Sequence, residues 1–166
     1  MNWTTDWSII VGWLQCDQYR RCNNPDRLIL RRLILLGSVA LVGTGPGSVL
    51  VALDWRREAI FLSGRAPAVR QVRLTGPTAP DRQAAWEATR ITVFGATDFA
   101  ITSVTIEGSA AAGIQTAHGA GGGLIADNRI SDTLSDAIHL TDGAHDIRVE
   151  RNRISRAGDD GIAVVS

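Results

Sequence analysis

The chain has 166 residues, enough for one ordinary domain with a buried core. Its 17 basic residues are all arginine and balance 17 acidic ones, so the formal net charge is zero, which argues against a nucleic-acid-binding protein. The lack of lysine excludes Schiff-base chemistry and a lysine-dependent phosphate loop.

The N-terminal segment, residues 1–27, differs in character from the rest. It holds three of the five tryptophans and both cysteines, and it shows neither helical nor strand periodicity. Cys16 and Cys22 make neither a disulfide scaffold nor a zinc site. No secretory signal stands here, and the apolar run from Leu33 to Val42 is too short to span a bilayer. We therefore expect an irregular N-terminal extension or cap over residues 1–27, a β domain over residues 28–166, and no membrane span.

The next segment predicts an opening coil of short strands. Two apolar runs, at 39–42 and 49–53, flank the glycine-rich residues 43–47. A phosphate cradle would need a following helix and usually a lysine, so a turn between strands is the preferred interpretation. Further along, segment 69–74 matches segment 101–106, at a wider spacing than the later repeats show. The surplus lies in the loop 77–89, which carries Trp86 and is expected to leave the regular outline.

A 24-residue repeat governs the second half of the chain. Its apolar columns are Ile106, Ile130 and Ile154; Ile114, Ile138 and Ile162; and Ile101, Ile125 and Val149. Asn128 and Asn152 share the spacing, and so do Asp136 and Asp160. No unit offers ten residues with a helical period, so short strands separated by Gly, Asn and Asp turns are predicted. One such coil cannot bury its apolar face alone and must stack on its neighbours. The columns then fill the interior, and the two asparagines form an amide ladder at a tight bend, since asparagine tolerates left-handed backbone.

Two stretches carry a resemblance to a known family. Residues 136–162, DAIHLTDGAHDIRVERNRISRAGDDGI, and residues 39–50, VALVGTGPGSVL, resemble repeats of right-handed parallel β-helix proteins of the pectate-lyase-like superfamily. The likeness covers residues 39–166 and implies an all-β, right-handed parallel β-helix of about four to five coils. It is specific for the fold and much less so for function, because this superfamily includes lyases, hydrolases, epimerases and non-catalytic surface proteins.

The candidate site follows from the aspartates near the end. Gly158-Asp159-Asp160-Gly161 resembles the Gly-Asp-Asp motif of polygalacturonase-like enzymes, whose paired acids cleave glycosidic bonds. Asp136 should lie one coil below Asp160, and the pair could serve as acid and base or as a Ca²⁺ site. A structural aspartate ladder is the alternative. Asp159 stands outside the repeat, because its counterparts are Ser135 and Ala111.

His139 is the fourth candidate, because strand alternation points it outward between Ile138 and Leu140. It could bind a sugar or act as a base, or be an ordinary surface histidine. His118 and Asp142 stand in register in the following loop, where a solvated turn is favoured over a charged pair.

The arginines at 129, 148, 151, 153 and 156 recur on turns and outer strands. They could clamp uronate carboxylates or form surface ion pairs, such as Arg156 with Asp132 one coil below.

Two functions therefore compete. One is a carbohydrate-active protein that binds or acts on an acidic polysaccharide as a lyase, hydrolase or epimerase. The other is a non-catalytic scaffold for surface binding or assembly, or an inert fragment of a longer enzyme. The resemblance suggests a secreted or cell-surface protein. Residues 162–165 look like the first strand of a coil that is not completed, which predicts C-terminal truncation or self-association through an open end.

Overall fold

The computed structural model describes residues 27–165, so the predicted extension over residues 1–27 falls almost entirely outside the described residues. The described chain contains 17 short strands and a 3₁₀ turn at Trp86–Ala88. In chain order the strands are β1 (Arg27–Leu30), β2 (Leu33–Leu36), β3 (Ala40–Val42), β4 (Val49–Ala52), β5 (Ile60–Ser63), β6 (Ala68–Arg70), β7 (Arg73–Thr75), β8 (Ile91–Phe94), β9 (Ala100–Thr102), β10 (Thr105–Ser109), β11 (Ile114–Ala117), β12 (Leu124–Ala126), β13 (Arg129–Thr133), β14 (Ile138–Leu140), β15 (Arg148–Glu150), β16 (Arg153–Ala157) and β17 (Ile162–Val164). No helix in this part of the chain has the length and apolar character that a membrane crossing requires.

The strands wind through three parallel sheets that form three faces of one solenoid. Sheet A contains β1, β4, β7, β10, β13 and β16; sheet B contains β2, β5, β8, β11, β14 and β17; sheet C contains β3, β6, β9, β12 and β15. One passage through sheets A, B and C makes one coil. Every pairing is parallel and joins a strand to its counterpart in the next coil. The all-β parallel β-helix predicted from the sequence is confirmed.

The solenoid has about six coils, more than the four to five expected. The additional coil is β1–β3, which begins ahead of the predicted opening segment 39–50. Its spacing to the second coil is uneven, because the separation in sequence between Leu28 and its partner Leu50 is shorter than that between Leu33 and its partner Ile60. Turns of different length separate these strands, so no single period marks the first coils in the sequence.

The apolar columns lie in register inside the coils, as predicted. Sheet A aligns Ile106, Ile130 and Ile154; sheet B aligns Ile114, Ile138 and Ile162; sheet C aligns Ile101, Ile125 and Val149. The six column isoleucines on β9–β14 are at most 1% exposed, because coils lie on both sides of them. On β17 the side chains of Ile162 and Val164 are exposed. Self-association through this strand stays a prediction.

The corner between sheets C and A holds the predicted asparagine ladder. Asn128 Nδ2 donates to Asn152 Oδ1 at 2.9 Å, and each amide also donates to a carbonyl oxygen of the preceding coil. The left-handed residues at this corner are not the asparagines but their predecessors, Asp127 (φ 58°) and Arg151 (φ 53°). The prediction that these asparagines adopt the left-handed backbone conformation was therefore wrong. They stabilise the corner through side-chain hydrogen bonds.

The glycine-rich residues 43–47 form a turn at the same corner. Strand β4 follows them, so no helix N-terminus is available to cradle a phosphate. A Cβ atom at Gly43 would collide with the carbonyl oxygen of Gln71 in the next coil, which explains why this position needs glycine. The interpretation as a turn is confirmed.

The loop 77–89 leaves the coil between β7 and β8 and packs back onto the corner between sheets A and B. Ala79 and Ala88 form a small apolar cluster with Ala110 and Ala111 of the next coil. The backbone N–H of Gln83 donates to Ala110 O at 2.8 Å. The insertion therefore lies along the solenoid axis, over the turns that lead into sheet B.

Arg90 fastens the base of this loop. Its side chain is fully buried, Nε donates to Gly108 O at 2.6 Å, and Nη2 donates to Pro77 O at 2.9 Å. Burial lowers the pKa of the guanidinium, and among the described residues no carboxylate pairs with it. Two backbone carbonyls thus hold a buried cation where the loop leaves the coil.

Candidate functional site

The predicted acidic residues meet where the turns from sheet A enter sheet B. Asp136 precedes β14, and Asp159 and Asp160 precede β17 in the next coil. Asp136 is 4% exposed, and its Oδ1 accepts a hydrogen bond of 3.0 Å from the backbone N–H of Asp160. This bond joins neighbouring coils, so Asp136 lies directly below Asp160, as the 24-residue spacing predicts.

His139 lies on the outer face of β14, beside the same carboxylate. Its Nδ1 is 2.5 Å from Asp136 Oδ2, and its side chain is one quarter exposed. Its neighbours in sheet B are Gln115 and Ala163, as expected from the repeat. An ionised carboxylate only accepts hydrogen bonds, so Asp136 selects the tautomer in which Nδ1 carries the proton and Nε2 is free to accept one.

Asp159 and Asp160 are exposed and complete the cluster. One carboxylate oxygen from each of Asp136, Asp159 and Asp160 lies within 4.8 Å of the other two. Arg82, from the loop 77–89, donates from Nη1 to Asp159 Oδ2 at 2.6 Å. The four residues predicted as a site therefore lie together. The guanidinium of Arg82 joins them, which the sequence did not predict.

This donor set does not fit a calcium ion. Calcium takes about six to eight oxygen ligands. Both oxygens of Asp136 already accept hydrogen bonds within the protein, and the Arg82 cation faces Asp159. Of the three aspartates in the cluster, only Asp160 presents a carboxylate without a charged or hydrogen-bonding partner among the described residues. The arrangement suits acid–base chemistry better than the binding of a cation.

Aromatic rings lie on the same side of the solenoid, in coils that precede the acidic residues. Phe61 on β5 and Phe94 on β8 stack with centroids 6.0 Å apart, and Trp86 lies 6.4 and 5.9 Å from them. His118 stacks on Phe94 at 4.4 Å with its ring tilted by only 11°. We call these four residues the aromatic platform. Arg32 lies 5.1 Å above the Phe61 ring in a cation–π contact.

The loop 77–89 connects the two parts of this face. It supplies Trp86 to the aromatic platform and Arg82 to the acidic cluster. Arg82 is far from Asp159 in the chain, and no repeat relates them, so nothing in the sequence signals their contact. Phe61 and Phe94 did carry a signal, because each is the outward member of a strand whose inward neighbours are buried.

The other histidines have structural partners. The backbone N–H of His118 donates to Asp142 Oδ2 at 2.9 Å, and both residues have positive φ, which confirms a turn and not a charged pair. The ring of His145 lies 3.0 Å from the carboxylate of Asp146.

Most of the repeated arginines form ion pairs. Arg156 donates two hydrogen bonds to Asp132, as predicted, and with a further hydrogen bond from Ser131 this lowers the pKa of Asp132 to about 2. Arg151 makes the same two-bond contact with Asp127 and lowers the pKa of that carboxyl group.

Comparison with known proteins agrees with this architecture. The family model described as the right-handed beta helix region matches residues 57–166, about two thirds of the chain. No curated protein and no solved structure matches the sequence. The matched residues include the loop 77–89, the repeat columns and the acidic cluster, and their strands form parallel stacked coils in the structure. The chain belongs to the right-handed β-helix family.

Proposed function

We propose that this protein is carbohydrate-active and holds a polysaccharide along the outer face of sheet B, where the acidic cluster acts on it. The observation that carries the proposal is the convergence of Asp136, His139, Asp159 and Asp160 on the side of the solenoid that also carries the aromatic platform. Flat aromatic rings stack on the apolar faces of sugar rings. Carboxylates and an imidazole supply the proton transfers that cleavage of a glycosidic bond requires.

The two exposed aspartates are suited to the chemical step. Glycoside hydrolysis needs one carboxylic acid to protonate the leaving oxygen and one carboxylate to activate water or attack carbon. Asp159 and Asp160 are both accessible and close enough to flank one bond. In an elimination, as in a polysaccharide lyase, the free Nε2 of His139 is the base that removes a proton from the sugar.

Asp136 and Arg82 are positioning residues in this proposal. Asp136 is buried, holds the backbone of Asp160 and orients the His139 ring. Arg82 fixes the carboxylate of Asp159, and its remaining N–H groups can donate to acidic groups of a bound chain. The proposed ligand is a polysaccharide with acidic groups, for which Arg82 is the cation at this site, and such a ligand favours a secreted or cell-surface protein.

The non-catalytic scaffold is the alternative, and the burial of Asp136 favours it. A buried carboxylate that accepts two hydrogen bonds stabilises a turn whether or not a ligand binds. The two functions differ in what they demand of Asp159, which is exposed and outside the repeat. Its replacement should harm a carbohydrate site but should not weaken a structural ladder.

The experiment compares Asp159→Asn with Asp146→Asn, which removes an exposed acid from a different corner. Cleavage of pectate, alginate and related polymers is followed by reducing ends and by the absorbance of unsaturated products. Binding of acidic oligosaccharides at sheet B is followed by tryptophan fluorescence, with Trp86→Phe as the reference that removes the reporting ring.

We expect Asp159→Asn to abolish turnover, or fluorescence-detected binding, while its melting temperature stays close to that of the wild type. Asp146→Asn should keep both. If the wild type neither cleaves nor binds any glycan, or if Asp159→Asn cleaves and binds glycans like the wild type, the site proposal fails and the protein is a scaffold or an inert fragment.

A further inference from the structure

A second charged surface lies on sheet A, away from the acidic cluster. Arg129 on β13 pairs in register with Arg153 on β16, and both side chains point outward and are exposed. Arg73 on β7 occupies the same register position two coils before Arg129, and it forms an ion pair with Glu107. Within residues 27–165, by contrast, no carboxylate forms an ion pair with Arg129 or Arg153.

This arrangement is unfavourable in the free protein. Like charges directly opposite each other on neighbouring strands repel, and strands in a sheet lie only about 4.8 Å apart. The nearby Arg151 and Arg156 each have a carboxylate one coil below, so the fold supplies partners for the arginines next to this pair. Arg129 and Arg153 are thus two adjacent guanidinium groups that have no carboxylate partner within residues 27–165. This arrangement matches the geometry of a site for an anion.

The surface around this pair is concave. Two shallow grooves of about 250 and 200 Å³ share Thr105 and Arg129 in their walls. The first extends along the corner between sheets C and A, past Gln71 and Ser103. The second extends along sheet A, past Ser131 to Arg153. The grooves thus form one track, with Arg129 where they meet and Arg153 in the second groove, among polar and charged side chains.

We infer that this track on sheet A binds an acidic polysaccharide, with Arg129 and Arg153 holding carboxylate or sulfate groups on the chain. A guanidinium binds an oxyanion through two parallel hydrogen bonds, and two of them at strand spacing can hold charged groups borne by neighbouring sugars. The hydroxyl and amide groups of the track can bind sugar hydroxyls. The site is separate from the proposed site on sheet B and does not depend on it.

The lining of the track favours a polysaccharide over a nucleic acid. Glu107 and Asp127 also line the grooves, and their carboxylates can accept hydrogen bonds from the hydroxyl groups that the sugars of a polysaccharide carry. The lining contains no aromatic ring on which a base could stack.

The test measures binding of dextran sulfate, polygalacturonate and neutral dextran by titration calorimetry at low and moderate salt. The variant Arg129→Gln/Arg153→Gln is compared with Arg57→Gln/Arg65→Gln, which makes the same change in charge at exposed positions elsewhere. A second variant, Arg129→Lys/Arg153→Lys, keeps the charge and loses the paired donors. All are also measured in the Asp159→Asn background, so that the sheet B site is silent, and thermal melts check folding.

We expect at least about a tenfold loss of affinity for an acidic polymer in the glutamine variant and a smaller loss in the lysine variant. In the Asp159→Asn background, where only the sheet A track is tested, the Arg57/Arg65 control should bind as tightly as Asp159→Asn alone, and binding should weaken with salt. Sulfate and carboxylate are distinguished by the two acidic polymers. The inference is overturned if no acidic polymer binds, if neutral dextran binds equally well, or if the glutamine variant matches the control. Tighter, arginine-dependent binding of a single-stranded oligonucleotide would also overturn it.

Discussion

Replacement of Asn128 by alanine removes a buried amide that links three successive corners of the solenoid. Asn128 is 1% exposed, its Oδ1 accepts from Val104 N–H at 2.9 Å, and its Nδ2 donates to Ile101 O at 3.0 Å and to Asn152 Oδ1 at 2.9 Å. Alanine leaves the Val104 N–H and the Ile101 carbonyl without their side-chain partner. Neighbouring coils enclose both groups, so water cannot readily replace the amide.

The expected loss of stability follows from these two groups. A buried donor or acceptor that loses its partner costs about 1–3 kcal/mol. The free energy of unfolding should therefore fall by about 2–6 kcal/mol in Asn128→Ala. Asn152 makes equivalent bonds in the next coil but is only half-buried, so its replacement by alanine should cost less than half as much.

Urea denaturation of the wild type and the two alanine variants, followed by circular dichroism, measures the difference. Equal slopes with denaturant would show that the three proteins expose the same surface on unfolding. The reasoning fails if Asn128→Ala costs less than about 0.5 kcal/mol, or if Asn152→Ala costs as much, because burial would then not decide the strength of the ladder.

Three further predictions concern the core, the loop and the surface ion pairs. Ile130→Ala should cost about 2–5 kcal/mol in urea denaturation because it empties a packed position between two coils, and a cost below about 0.5 kcal/mol would contradict the stacked column. Arg90→Met should lower the free energy of unfolding by about 2–4 kcal/mol, because two backbone carbonyls lose a charged donor. It should also speed proteolysis within residues 77–89 and change the fluorescence of Trp86. Unchanged proteolysis would mean that other contacts hold the loop. Asp132 has its pKa lowered from 3.8 to about 2 by hydrogen bonds from Arg156 and from a neighbouring serine, so its contribution to stability is complete above the unfolded value and is lost as the pH falls toward 2. Melting temperatures measured across this range should fall less steeply in Asp132→Asn than in the wild type, and parallel curves would show that the pair does not affect stability.

The stacked columns could be predicted from the sequence because residues separated by one repeat length become neighbours when the coils stack. Residues 24 apart occupy the same position in successive coils, so Ile106, Ile130 and Ile154 had to align once strands of that period were stacked. The same reasoning placed Asp136 below Asp160 and His139 outward. The first coil was missed because its turns differ in length, and a variable period leaves no column to count.

The contacts of the loop 77–89 belong to the tertiary structure alone. An insertion has no counterpart in other coils, so its path depends on side-chain packing such as that of Ala79 and Ala88, and not on the period. That path sets Arg82 on Asp159 and Trp86 beside Phe94. The choice of which arginines are paired was also decided in three dimensions. The sequence by itself determined the all-β solenoid, its inward columns and the meeting of four candidate residues, because these follow from one repeated length. Only the tertiary structure decided how the loop 77–89 and the long arginine side chains pack. That packing forms the aromatic platform, brings Arg82 to the acidic cluster and leaves two arginines of sheet A without an ion-pair partner among the described residues.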